Sequence, residues 1–399
     1  MGLPILGFAA PAEVSCSDPH AATPKLRLTI HPPKGIIHLG ERIPIECQIF
    51  NPNREEKVVF VDESIPGHGN FSLTAYDVVG HLVKSPEEIN PHALVMAGCP
   101  PRIIVGPGQT ATLILPLNAW ALIKKPGEYR ITAQTELPAD GGVVTSDQPI
   151  TVRIMERNEP ALRSDVAELE KEYRRIVADC SAGKSDLQPE KSQPVAIQAT
   201  EEELQNIRKI EDAIWRLGFT SHPQAIPPLT EALYVPGGRV AGEALRHYFA
   251  DYPGDIKTAI LALGRVRGLA PDTLFVLEPC KLSEEELAPL IQASLAPQNR
   301  GAWANGALAA QIHGRDEFVP RLAAIAADPT SGARIQAIYA LAMHRTDESV
   351  KTLKKLADDP DVRIRATTQQ AIQRAFRYRG CAKGRPLKKE DFPDPTRQQ

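Results

Sequence analysis

The chain has 399 residues, with 46 Lys and Arg against 49 Asp and Glu, a formal charge of −3 and a pI near 6.4. That balance gives no global electrostatic reason to expect nucleic acid, so a nucleic-acid partner is disfavoured. No apolar run reaches the ~18 residues that a membrane-spanning helix needs. The length exceeds what one compact core carries, so two or three units are expected.

Residues 1–24 form a separate N-terminal stretch. Met1–Ala12 is apolar and ends in Ala10-Pro11-Ala12, a small-x-small pattern like that cleaved from exported proteins, though it lacks a basic n-region. One expectation is a disordered remnant of a signal peptide and a periplasmic or secreted protein; the alternative is an apolar terminus on a cytoplasmic one. The six cysteines (Cys16, Cys47, Cys99, Cys180, Cys280 and Cys381) contain no C-x-x-C pair, which argues against a zinc or thioredoxin-type site. If the protein is exported, Cys47–Cys99 is the pair to test for a disulfide. The competing expectation is buried free thiols.

From 25 to 157 the pattern has the two-residue period of half-buried strands. Leu26–Ile30 and Ile43–Ile49 alternate cleanly, and Lys57–Val61, Phe71–Asp77, Thr110–Pro116, Glu128–Thr135 and Ile150–Ile154 are further candidates. Turn signals separate them, among them Pro32-Pro33-Lys34-Gly35 and Gly106-Pro107-Gly108. Seven or more short strands at this spacing predict an all-β, antiparallel sandwich. Gly106–Thr110, a strand, and then Lys125-Pro126-Gly127-Glu128-Tyr129-Arg130-Ile131 resemble the late strands of immunoglobulin-like domains in bacterial envelope proteins. That resemblance implies an immunoglobulin-like sandwich whose tyrosine anchors the inward face of its strand.

Residues 158–199 read as a charged helix and a linker. Ala161–Ala178 carries Leu162, Val166, Leu169, Tyr173 and Ile176 along one stripe, and Gly183–Gln198 is rich in Ser, Pro and charge. Ala178–Ser185 fits a relaxed phosphate-loop pattern, A-x-x-x-x-G-K-S. A genuine loop of that kind joins a buried strand to a helix, whereas a charged helix precedes this one, so nucleotide binding is not expected.

Residues 200–379 are predicted to be all-α. Thr200 followed by Glu201–Glu203, and Ser283 followed by Glu284–Glu286, have the N-cap and acidic first turn of helices. Within Phe318–His344 and Glu348–Arg374 an offset of 31 recurs: Val319, Leu322 and Ile325 fall on Val350, Leu353 and Leu356, Asp328-Pro329 on Asp359-Pro360, and Arg334 on Arg365. A fixed period of this size means stacked supersecondary units, each too small to bury its own apolar face. Asp255–Cys280 would hold a degenerate unit.

Leu217-Gly218, Pro223-x-Ala225-Ile226-Pro227-x-Leu229 and Asp359-Pro360-x-Val362-Arg363 carry a resemblance to HEAT repeats, in the short bacterial form shared with phycobilisome (PBS) lyase-like proteins. It covers about 180 residues and implies an α-solenoid. Iron-binding hydroxylases built on related repeats use His-Glu pairs, and this sequence has none.

No nucleophile elbow or catalytic triad can be assembled at recognisable spacing, so the chain is read as a non-enzyme with no catalytic, cofactor or metal residues. His313 and His344, 31 apart, fall in the last turns of equivalent helices, where a cation suits the helix dipole. Between Ser349 and Lys389 lie twelve Lys or Arg residues against Asp358, Asp359 and Asp361. Arg363, Arg365, Arg374, Arg377, Arg379, Lys383 and Arg385 are the candidate binding residues of this basic C-terminal surface, and 380–399 is a basic, disordered tail. The same bases also serve as the solvated face of a capping repeat. The expected function is a protein–protein interaction scaffold for an unidentified protein, with the β-sandwich as a second binding or anchoring module. The alternatives are a lyase-like or chaperone-like protein handling a small ligand, or a nucleic-acid binder through the basic C-terminus.

Overall fold

The computed structural model describes residues 26–60, 71–89, 102–137, 142–182, 200–235, 238–270, 273–277, 280–313 and 315–377. An N-terminal sheet region is followed by a larger helical part. The strands are β1 (Arg27–His31), β2 (Ile37–His38), β3 (Pro44–Phe50), β4 (Lys57–Phe60), β5 (Phe71–Tyr76), β6 (Arg102–Val105), β7 (Thr110–Pro116), β8 (Gly127–Leu137), β9 (Gly142–Thr145) and β10 (Ile150–Met155). Two short helices, α1 (Pro86–Ile89) and α2 (Leu117–Trp120), interrupt them.

One sheet has the order β1-β3-β7; a second runs β2-β10-β8-β5 with β9 also on β8; β4 and β6 form a separate pair. The inward residues of the two larger sheets, including Leu28, Ile30, Ile45, Cys47, Ile49, Ile131, Ala133, Val152 and Ile154, join one apolar core. The alternation read from the sequence is therefore the pleat of these strands. Among the described residues the strands pair antiparallel except for a two-residue parallel ladder in which Ile37 and His38 of β2 lie beside Ile154 and Met155 of β10, and Leu28 of β1 makes a single parallel bridge to Ser146. The wholly antiparallel expectation is corrected there. The Pro32-Pro33 turn carries the chain from β1 in one sheet to β2 on the edge of the other. The Tyr129 hydroxyl donates to the Lys125 carbonyl at 2.7 Å, fixing the turn that starts β8. Cys47 is a free thiol, and burial pushes its pKa up to about 12. Cys99 lies outside the described residues.

The helices are α3 (Glu159–Ala182), α4 (Glu201–Phe219), α5 (Ile226–Ala232), α6 (Gly238–Leu245), α7 (Pro253–Arg267), α8 (Thr273–Leu277), α9 (Glu284–Leu295), α10 (Trp303–His313), α11 (Val319–Ala327), α12 (Arg334–His344), α13 (Asp347–Leu356) and α14 (Val362–Arg377). Both predicted helix starts are present, and each is closed by a capping box: Thr200 with Glu203, and Ser283 with Glu286, satisfy two orphan donors each. α3 packs on α4 rather than standing as a connector, burying Val166 and Tyr173. It runs through Ala178–Ala182, so the first half of the phosphate-loop pattern is helical; Gly183–Ser185 lies outside the described residues.

From α4 onward many helices pack both on a sequence neighbour and on the next helix but one, as α4 does on α5 and α6 and α12 does on α11, α13, α10 and α14. Thus α5 meets α7, α11 meets α13, and α10, α12 and α14 lie side by side. Glycine and alanine permit the close approaches. A Cβ on Gly218 of α4 would lie 2.6 Å from the Cβ of Ala244 on α6.

Arginine bridges join successive units. Arg300 donates from Nη2 to Asp328 at 2.9 Å and to the Thr330 hydroxyl at 2.9 Å, and Arg334 donates from Nη2 to Asp359 at 2.5 Å. The Asp-Pro pairs that define the 31-residue offset therefore anchor each loop on the preceding helix pair.

Candidate functional site

Of the basic residues singled out near the C-terminus, Arg363, Arg365 and Arg374 are described with their side chains. Arg377 ends α14, while Arg379, Lys383 and Arg385 lie outside the described residues. Arg363 and Arg374 are three helical turns apart on one face, and Arg365, two residues after Arg363, points to another. Two of the three are engaged locally. Arg363 pairs with Asp361, Nη2 to Oδ2 at 3.3 Å, and this bond holds the Asp361 carboxyl below its ordinary pKa. The Nη1 group of Arg365 donates to the carbonyls of Asp359 at 2.6 Å and Pro360 at 3.1 Å. Arg374 instead lies over the ring of Tyr339 on α12, 5.2 Å from its centroid.

That cation–π contact marks a surface that charge counting missed. Along α10, α12 and α14 the same positions recur at the offset of 31: Ala304, Ile335 and Ala366; Leu308, Tyr339 and Gln370; Ile312, Met343 and Arg374. Because these helices lie side by side, the recurring positions form rows across one face. Leu308 is 39% exposed, Ile312 66% and Ile335 42%. The Tyr339 hydroxyl lies 3.4 Å from Oε1 of Gln370, tying the second row together. None of the chain's 49 acidic residues lies on these three helices.

Carboxylates occur in the loops and in the first turn of α13, at the ends of these helices. At one end Asp328, Asp359 and Asp361 hold Arg300, Arg334 and Arg363. At the other lie Asp316, whose Oδ1 is 3.7 Å from Nδ1 of His344, and Glu317, Asp347 and Glu348.

The expected cationic role of His344 is corrected. Its side chain is fully buried, and burial lowers its pKa despite Asp316, so the ring is held neutral rather than as a partner of the helix dipole. The competing cost is desolvation of the charged ring, which outweighs the dipole here.

A second concavity lies where the sheet region meets α3 and α4. This cleft of about 530 Å³ is lined by Gly40, Glu41, Arg42, Arg157, Asp165, Glu168, Leu169, Glu172, Asp212, Arg216 and Thr220. Its guanidinium groups are already matched. Arg42 meets Asp212 at 2.7 Å, Arg157 meets Glu41 at 3.3 Å and also Asp165, and Arg216 meets Glu172 at 2.9 Å. Arg42–Asp212 spans the two parts of the chain, as does Lys124–Asp251, so this region works as a joint.

The loop histidine His81 is exposed and pairs with Asp77 at 3.3 Å; His68 and His92 lie outside the described residues. Among the described residues no group of three or more His, Cys, Asp or Glu side chains could hold a metal ion. No described helix is long and apolar enough to cross a membrane.

No family model matches the chain, and no curated protein matches it. Among solved structures it is similar to human deoxyhypusine hydroxylase in complex with glycerol. The identity is 16%, over 54% of this chain and 96% of that one, with a TM-score of 0.18. A likeness that slight carries neither fold nor activity across to this chain.

Proposed function

We propose that the chain is a non-catalytic interaction scaffold, an immunoglobulin-like β-sandwich followed by a HEAT-type solenoid. Side-by-side packing of α10, α12 and α14 and the arginine bridges between units support the solenoid reading. The two sheets sharing one core, with the Tyr129–Lys125 bond at the base of β8, support the sandwich reading. The observation that carries the function is the run of exposed apolar residues, Leu308, Ile312 and Ile335, over two adjacent rigid helices. Contiguous apolar surface on packed helices is a usual mark of a docking site. The sheet region offers a second apolar site at Val78, Val79 and Leu82, all exposed around the turn after β5.

The test is crosslinking capture with the full chain as bait, run beside a full-length variant carrying Leu308→Ser and Ile312→Ser. Both residues are solvent-exposed, so the variant should keep its helical circular dichroism. The scaffold reading expects a saturable protein partner that the native chain retains and the variant loses. Equal retention by both chains would move the function away from this face.

A further inference from the structure

We propose that the face over α10, α12 and α14 takes an acidic amphipathic helix of a partner protein, with its acidic flank lying toward α14. The inference rests on the scaffold reading and adds the chemistry of the partner.

The face is asymmetric. On the α10 and α12 side it presents Leu308, Ile312, Ile335 and Tyr339, spaced four residues apart along each helix. On the α14 side the recurring position holds Arg374, whose guanidinium covers the edge of this patch by sitting over Tyr339. Two neighbouring helices pack about 10 Å apart, which leaves a shallow groove able to seat one apolar helical stripe. A ligand seated there meets no carboxylate from the three helices beneath it. A carboxylate on its α14 flank would draw Arg374 into a charge-assisted hydrogen bond, whereas a lysine there would face like charge.

An anionic membrane would also accept apolar side chains beside a base. Such surfaces gain little from each Lys or Arg and need several free bases. Arg363 shares the face of Arg374 but is paired with Asp361, and Arg365 bonds loop carbonyls, so of these three only Arg374 lies against the patch. A specific helix fits that geometry better than a diffuse charged plane.

The experiment pans a displayed library of 16-residue helices against the full-length chain. The library fixes leucines at i, i+4, i+7 and i+11 and randomises the flanking positions among Glu, Lys, Gln and Ser. The native chain is expected to enrich Glu over Lys on one flank by tenfold or more. Arg374→Glu should abolish or reverse that preference, and Tyr339→Ser should reduce retention at least tenfold. Equal recovery of Glu and Lys, no enrichment, retention indifferent to both substitutions, or capture of phosphatidylserine vesicles instead of helices would each overturn the proposal. If the full chain still captures a protein partner through Leu308 and Ile312 while the library shows no acidic preference, the scaffold reading survives and this inference falls.

Discussion

The guanidinium of Arg334 joins two repeat units: its Nε donates to the Ala326 carbonyl at 2.9 Å and its Nη2 to the Asp359 carboxylate at 2.5 Å. Both partners are largely withdrawn from solvent, at 10% and 12% side-chain exposure. Removing one member of such a pair leaves the other charge desolvated and alone. Arg334→Ala should therefore cost about 3–5 kcal/mol, read as a lower chemical-denaturation midpoint. A loss below about 1 kcal/mol would show that the bridge behaves like an exposed pair.

Gly218 sits where α4 crosses α6, with no room for a side chain. Helix propensity alone favours alanine over glycine by about 1 kcal/mol. Here the added Cβ would meet the Cβ of Ala244 at 2.6 Å. Gly218→Ala is thus expected to lose about 1–3 kcal/mol through overpacking, measured by thermal or urea unfolding. A stabilised variant would mean that the two helices separate at little cost.

His247 packs edge-on against Trp215 and Phe219, with ring centroids 6.1 and 5.6 Å away. Burial first, and then the nearby Lys124 and Arg246 charges, push its pKa down to about 3. Arg246 is itself paired with Glu243 at 3.0 Å. The unfolded chain takes up this proton near pH 6.5, while the folded chain resists it to about pH 3. The contribution of His247 to stability is therefore fully present above pH 6.5 and falls between those values by up to about 1.4 kcal/mol per pH unit. His344, also lowered by burial, adds in the same direction. His247→Phe should flatten the fall in melting temperature between pH 7 and pH 5. An unchanged slope would show that other groups set the acid sensitivity.

Arg363→Ala should change stability by no more than about 1 kcal/mol, because its pair with Asp361 is a solvent-exposed one. Thermal unfolding of the variant beside the native chain checks this, and a larger loss would give Arg363 a structural role that its contacts do not show.

Much of the architecture was legible because it rests on local chemistry. The helix starts at Thr200 and Ser283, the alternation in β1 and β3, and the Asp-Pro offset each follow from a few adjacent residues. Strands β2, β6 and β9 were missed because two to four residues are too few to show a period. The apolar face was hidden for a different reason. α10 reads Trp-Ala-Asn-Gly-Ala-Leu-Ala-Ala-Gln-Ile-His, apolar nearly all round, so sequence alone cannot say which side meets solvent. The basic residues were visible as a count. That count could not show that Arg363 and Arg365 bond their own loops while Arg374 lies over Tyr339.

The most direct test of the docking claim is site-specific photocrosslinking in cells with p-benzoylphenylalanine. It would replace Leu308 or Tyr339 in the full chain, with Lys351 on α13, in the other helical layer, as the control. The account predicts one discrete protein adduct from positions 308 and 339 and none from 351. Adducts of equal yield from all three positions, or adducts from 351 alone, would contradict it.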